Sequence, residues 1–239
     1  MIRALIKRVL RGAGYTASRY DPRRDSNAVR QRLLESASIN TVLDVGANSG
    51  QYGEGLRRCG YKGKIVSFEP LSSAFAQLQK RAAGDRLWHT ERCALGDCEE
   101  VASINISGAS ASSSLLDMLP RHTEIAPHTG YIGSEQVAVH RLDSLFDRHV
   151  APGDRAFLKI DTQGFTSRVL EGAGESLGRV QGLEVELSVV ALYAGEPLIH
   201  EVLSLLYHKG FAVYSLEPEM FDDASWQQVQ MNGLFQRIR

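Results

Sequence analysis

The sequence predicts a three-layer α/β sandwich whose mostly parallel sheet ends in an antiparallel hairpin. Three observations predict it. Short apolar or β-branched runs alternate with helical patterns from Thr41 to Leu216. Four of these runs carry an acid at or near their end, namely Asp44, Glu69, Asp161 and Glu186, and open parallel sheets bind ligands beyond the carboxyl ends of their strands. The last run, Gln227 to Ile238, follows a turn rather than a crossover helix, which makes it an antiparallel neighbour of the run before it.

With 239 residues, the chain has room for one large core. We assign that core to residues 39–239 and a basic helical extension to 1–38. Residues 1–34 hold nine Lys or Arg against Asp21 and Asp25, a net of +7 that leaves the rest at -8 under an overall charge of -1. Ile2, Leu5, Ile6, Val9 and Leu10 recur at helical spacing among these cations. Two readings stand for this segment: peripheral contact with an anionic membrane, or packing on its own subunit, a partner or the ligand cleft. Ser26 to Ser36 reads as a second helix with its apolar side laid against the first strand.

The overall charge gives no reason to expect a nucleic-acid partner. Three cysteines, Cys59, Cys93 and Cys98, lack the number and density of a disulfide scaffold and point to a reducing, cytoplasmic setting. Neither an apolar run of ~20 residues nor a signal peptide is visible. A monomer and a homo-oligomer both remain open.

Thr41 to Pro70 organises the rest. Thr41, Val42, Leu43 and Val45 form a strand around Asp44, and Gly46 begins the turn G-A-N-S-G. Gly46 can take positive φ, Gly50 leaves room for a ligand against the backbone, and Ser49 is suited to cap the next helix. Ile65 to Phe68 is the second strand, delivering Glu69 with Pro70 holding its exit extended. A carboxylate roughly 20 residues after a glycine turn is placed to accept both hydroxyls of a ribose. The turn is neither G-x-G-x-x-G nor a P-loop. Asp44 beside it disfavours a phosphate and favours a cation. A ribose, no phosphate and a positive centre describe S-adenosylmethionine, with Asp44, Gly46, Asn48, Gln51, Glu69, Pro70 and Asp161 as its candidate contacts.

A helix over Leu71 to Ala83 leads to a third strand near Leu87 to Cys93. Ala94, Leu95, Gly96 and Asp97 form a turn in which Ala94 and Leu95 can meet an adenine. Val101 to Ser107 alternates as a strand. Residues 107–136 are rich in Ser, Gly and His and weak in periodicity, as lids and binding loops are. We place acceptor recognition there, with Ser113, His122 and His128, and add Tyr193 beyond the later strand. Gln136 to Arg141 is a further strand before a short helix. Strands at Arg155 to Ile160, Leu183 to Val190 and Phe211 to Leu216 follow, with helices between them.

Asp161 is the acid expected nearest the reacting centre, and Lys159 shares its strand face as a tether. Asp161 with Glu186 could also hold Mg²⁺ through oxygen ligands. His140 is the candidate general base for an alcohol, because imidazole titrates near the working pH.

These residues together resemble the FkbM family of S-adenosylmethionine-dependent O-methyltransferases, over Thr41 to Arg239. VLDVGANSGQY is similar to the family's first motif, VSFEP to its second, ASSSLL to its serine-rich segment and FLKIDTQGFTSRVLEGA to its fourth-strand motif. LEVELSVVALY and NGLFQRI resemble its late segments. The family commonly has an acid where this chain has Gln163, which weakens position 163 as a metal ligand. The resemblance implies a Rossmann-like class I methyltransferase fold, cofactor contacts by Asp44, Gly46, Asn48 and Glu69, and a central Asp161. Within the family the chain looks most similar to actinobacterial, including mycobacterial, enzymes that methylate sugars. A saccharide or glycolipid-linked sugar is therefore the expected acceptor; a non-sugar natural-product hydroxyl and a non-catalytic nucleotide-binding scaffold are the alternatives.

Overall fold

The computed structural model describes residues 2–16 and 19–238. In chain order its elements are α1 (Ile2–Gly12), α2 (Ser26–Ser36), β1 (Thr41–Val45), α3 (Gln51–Arg58), β2 (Lys64–Phe68), α4 (Ser72–Ala82), β3 (Trp88–Glu91) and β4 (Ala94–Leu95). Then come β5 (Glu100–Ser107), α5 (Pro120–Ile125), β6 (Tyr131–His140), α6 (Leu142–His149), β7 (Ala156–Ile160), α7 (Thr166–Gly172), β8 (Val180–Ser188), α8 (Ile199–His208), β9 (Phe211–Phe221) and β10 (Gln228–Arg237).

Seven strands form one sheet in the order β3-β2-β1-β7-β8-β10-β9. The pairs from β3 to β8 are parallel, and β10 runs antiparallel to both β8 and β9. This is a Rossmann-like α/β sandwich, mostly parallel and closed by an antiparallel hairpin. One face of the sheet buries Val42, Ile65 and Phe157 against Leu33 and Leu34 of α2 and Leu56 of α3. The other buries Leu43, Leu158 and Val185 against α6, α7 and α8. Each strand shows apolar residues to both layers, which is why β1 and β7 read as hydrophobic runs broken only by Thr41 and Asp44 in the one and Lys159 in the other.

A second sheet of three strands, β4-β6-β5, was not expected. β5 pairs with β6 from Glu100–Val139 to Ser107–Tyr131. The last part of the 107–136 stretch is therefore strand, with local hydrophobic alternation too weak to announce it. Ala94 and Leu95, expected in a turn, pair in parallel with Val139 and His140. Leu71 and Ala74 at the start of α4 pack against Ile104, Val137 and Val139 of this sheet. In α1 the side chains of Ile6 and Val9 are exposed; those of Ile2 and Leu5 lie outside the described residues. No described helix is long and apolar enough to cross a membrane.

The large sheet changes direction between β1 and β7, because β1 leads outward to β2 while β7 lies on its other side. A cleft opens at such a point, beyond the carboxyl ends of the strands. Closeness there is demanded elsewhere too. A Cβ on Gly172, at the end of α7, would lie 1.8 Å from the Gly96 carbonyl oxygen, so α7 can seat against the β4 exit only with glycine. Gly172→Ala is expected to cost ~1–3 kcal/mol in urea unfolding through overpacking, whereas Gly178→Ala, with nothing within 4 Å, is expected to stay within about 0.5 kcal/mol of wild type.

Candidate active site

One row across four strands of the large sheet reads Ser67, Asp44, Lys159, Glu184, and it founds the site. Trp88 Nε1 donates to Ser67 Oγ at 3.0 Å, and Ser67 Oγ donates to Asp44 Oδ2 at 2.9 Å. Lys159 Nζ lies 3.2 Å from Asp44 Oδ1 and 3.4 Å from Asp161 Oδ2, and it donates to the Gly46 carbonyl at 2.9 Å. Burial alone would discharge this ammonium, but Asp161 and Asp44 outweigh it and hold its pKa above the ordinary lysine range. The tethering of Asp161 expected for Lys159 is thus seen, and Lys159 clasps the glycine turn as well.

Asp44 is fully buried under this ion pair and faces no cleft. The expectation that it touches the cofactor, or repels a phosphate, needs correction, because Lys159 compensates its charge. Gly46 and Gly50 also differ from expectation. Gly46 has φ +73°, and its missing Cβ clears the Asp161 carbonyl oxygen, at 1.8 Å, rather than a ligand. Gly50, at φ +91°, is itself the N-cap of α3, and its missing Cβ clears Leu78 and Trp88. Ser49 does not cap the helix.

Beyond β1, β2 and β7 lies a cleft whose rim is Val45, Gly46, Asn48, Glu69, Pro70 and Asp161. Its apolar walls are Leu71, Ala94, Leu95, Ile104, Leu115 and Phe165. Glu69 accepts the Asn48 amide at 2.8 Å and the Leu71 amide at 2.9 Å. Burial pushes its carboxyl up to about 7 against the pull of those two amides. Asn48, at φ +47°, holds a left-handed conformation that Asn tolerates better than most residues, and its side chain donates to Ser110 Oγ at 3.2 Å. The buried Thr162 Oγ1 has no partner among the described residues and belongs to the cleft lining. A carboxylate at one edge, apolar walls for a flat ring and an unsatisfied hydroxyl suit a nucleoside that carries a cationic chain. S-adenosylmethionine fits this donor set.

A polar trench adjoins the cleft, sharing Gly46, Asn48, Ala111 and Asp161 with it. The trench is lined by Asn27 and Arg30 of α2, Gln51, Tyr52 and Arg58 of α3, Lys159, Glu184, Glu219 and Asn232. Arg30 grips Glu184 through two bonds of 2.6 Å, and Tyr52 O–H donates to Glu184 at 2.7 Å. Gln51, expected at the cofactor, lines this trench instead. Sequence reasoning missed Glu219 and Asn232, because only the non-local pairing of β10 with β8, Asn232 opposite Glu186, brings the closing hairpin here. Phe165 was also missed, since it reads as one more apolar residue before a helix.

Other expected site residues lie elsewhere. The His140 imidazole pairs with Glu99 outside both the cleft and the trench. Glu99 is held at about 2 by the Arg141 amide and then by His140, so the His140 ring is engaged in a surface hydrogen bond away from both cavities. Ser113 lines the cofactor cleft and accepts the Ser107 amide at 3.0 Å. His122 is 2% exposed and stands edge-on to Tyr193, 5.1 Å between ring centroids, with burial holding its pKa down. His128 is exposed on a 3-10 turn, outside both cavities. Tyr193 is fully buried, and its O–H bonds Gln163 Oε1 at 2.8 Å. None of His122, His128 and Tyr193 lines the trench, to which the 107–136 segment gives Ala111. That segment also supplies Ser110, Ala111, Ser113, Ser114 and Leu115 to the cofactor cleft.

The expected Mg²⁺ does not fit. Gln163 Nε2 stands between Asp161 Oδ1, at 3.0 Å, and both Glu186 oxygens, at 3.0 and 3.1 Å, in the place a shared cation would take. Among the described residues no group of three or more His, Cys, Asp or Glu is gathered to hold a metal. Enclosure and the charge of Asp161 push the Glu186 carboxyl well above the usual range.

The sequence matches the family model of the methyltransferase FkbM domain over residues 44–213. No curated protein matches it. Similar solved structures include an rRNA methylase from Streptococcus thermophilus (14% identity, 93% of this chain and 100% of that one, TM-score 0.47). The methyltransferase domain of bacterial CtHen1 (12%, 92% and 100%, 0.45) and TehB from Haemophilus influenzae (11%, 89% and 64%, 0.44) are others. Such distant likenesses say nothing of substrate. The family match covers most of the chain, including Asp44, Ser67, Glu69, Lys159, Asp161 and Glu184, and ends before Glu219 and Asn232: this protein belongs to the FkbM family of S-adenosylmethionine-dependent methyltransferases.

Proposed function

We propose that the protein methylates a hydroxyl of a saccharide, free or lipid-linked, in the manner of the actinobacterial sugar methyltransferases its sequence resembles. The observation that carries this reading is the trench of amides and charges that meets the cofactor cleft at Asp161. An acceptor rich in hydroxyls finds partners in Asn27, Gln51, Arg58, Glu219 and Asn232, whereas an apolar macrolide or phenol would strand them. The membrane-facing role of α1 belongs to the same reading, because a lipid-linked sugar would be presented at such a surface.

S-adenosylmethionine, when bound, supplies a methyl group made electrophilic by a positively charged sulfur. Glu69 holds the ribose hydroxyls, and Leu71, Leu95, Ile104 and Phe165 hold the adenine. Asp161 stands at the junction of cleft and trench, where its carboxylate favours a nearby positive centre and accepts the acceptor's O–H. The carbon–oxygen bond would form as the methyl–sulfur bond breaks, leaving the cofactor as a neutral thioether, and the acceptor hydroxyl, made acidic by the new bond, would pass its proton to Asp161. Lys159 keeps that carboxylate aimed. Glu219 is a second carboxylate on the trench wall, pushed up by desolvation and then by Asp161 and Glu184.

Substitutions, pH and choice of acceptor test these roles. Glu69→Ala is expected to weaken S-adenosylmethionine binding by ~1–3 kcal/mol in calorimetry. Because the Glu69 carboxyl titrates at about 7 and accepts both ribose hydroxyls only as the carboxylate, wild-type affinity is expected to fall as pH drops below that value, by up to roughly tenfold per unit. Glu69→Gln should lose this dependence. Asp161→Asn is expected to lower turnover by ~10² or more, while His140→Ala stays within about twofold of wild type; the reverse order would move the base to His140. With radiolabelled cofactor and a panel of unmethylated saccharides, transfer is expected to at least one. Asn232→Leu should then raise the acceptor KM by roughly tenfold with cofactor affinity unchanged. Transfer to phenols or macrolides but to no saccharide would overturn the sugar assignment.

A further inference from the structure

Gln163 occupies a position that neither its helix nor the sheet core explains. It has φ +52°, a left-handed conformation uncommon for a residue other than glycine. The turn around it is tightly held. Its carbonyl accepts Ser114 Oγ at 2.6 Å, and a Cβ on the following Gly164 would lie 3.0 Å from that of Tyr193 and 3.1 Å from that of Glu196. Glu196 accepts the Tyr193 amide at 2.9 Å and Ser188 Oγ at 2.7 Å, which fixes the segment bearing Tyr193.

The result is an amide with a determined orientation. Tyr193 O–H is shared between Gln163 Oε1 at 2.8 Å and the Ser112 carbonyl oxygen at 3.0 Å. The opposite end, Nε2, carries two hydrogens and meets Asp161 at 3.0 Å and Glu186 at 3.0 and 3.1 Å. Turned over, the amide would aim its oxygen at two carboxylates. A group that offers positive density to both carboxylates at once does for them what a bridging divalent ion does, with no ion present.

We infer that Gln163 takes the place of a divalent cation at the junction of cleft and trench: its amide joins Asp161 to Glu186, and a carboxylate at position 163 would turn the same pocket into an ion site. Gln163 is thus a positioning residue that acts through Asp161. The inference deepens the proposed function, resting on its placement of Asp161 at the reacting centre, but its test needs no acceptor.

Full-length wild type and Gln163→Glu, both stripped with chelator, would be titrated with Mn²⁺ while the free ion is followed by electron paramagnetic resonance. Circular dichroism and S-adenosylmethionine affinity report on folding. Wild type is expected to bind no stoichiometric Mn²⁺ up to about 1 mM, and the variant to bind one equivalent roughly tenfold or more tightly, displaced by Mg²⁺. A wild-type protein that binds one equivalent as tightly as the variant, and loses it in Asp161→Asn, overturns the inference. So does a folded variant that binds none. Should Gln163→Glu not fold, Gln163→Asp is read by the same titration, and the wild-type measurement stands alone. Loss of saccharide methylation would not bear on these outcomes, so failure of the acceptor assignment stays separate.

Discussion

The structure hangs on one buried ammonium. Lys159 Nζ lies between Asp44 and Asp161 and bonds the Gly46 carbonyl, so a single cation ties β1, β7 and the glycine turn together where the sheet reverses direction. Each ammonium–carboxylate contact at this range is of order 5 kcal/mol with an effective dielectric near 20. Desolvation takes several kcal/mol per ion in return. The two nearly cancel, and the net gain in stability is small. What the arrangement secures is place: Asp161 is presented at the junction with its charge intact, and removing the cation would leave the fully buried Asp44 uncompensated.

That constraint separates what was legible from what was not. The parallel strands, the closing hairpin, Glu69 at a strand end and the lysine two residues before Asp161 all follow from local pattern, since period and strand-end position are properties of a few adjacent residues. Asp44 was misread for the same reason. Its position in the sequence is that of a ligand contact, but the Lys159 that neutralises it comes from a strand more than a hundred residues later. The glycines show the converse. Gly46 and Gly50 are needed for close approach, as read, yet what approaches is the Asp161 carbonyl in one case and the Leu78 and Trp88 side chains in the other.

The acceptor side was least legible. Histidines and a tyrosine in polar surroundings suggested a recognition loop, but burial decides their role. His122 and Tyr193 pack on each other behind Gln163, and His140 is spent on Glu99. The trench draws instead on α2, α3 and the β9–β10 hairpin. α2, assigned from its charge to an extension, buries Leu33 and Leu34 in the sheet's core and turns Arg30 inward to Glu184. Composition registered the charge of this segment but not that one of its arginines has a buried partner on β8.

Charge balance at the junction then bears on the kind of acceptor. Arg30 is matched by Glu184, and Lys159 by Asp44, while Gln163 contributes hydrogens without net charge. The uncompensated groups are Asp161, already half-satisfied by Lys159, and Glu219, with Arg58 further out on α3 and without an acidic partner among the described residues. A negative field of this kind attracts a sulfonium and disfavours phosphate close to the reacting oxygen. It leaves neutral hydroxyls to be recognised by direction rather than charge, through amides and carboxylates whose orientations are fixed before anything binds. Discrimination among hydroxyls of one ring follows from that rigidity, because a misplaced hydroxyl would leave at least one of these trench groups desolvated and unpaired.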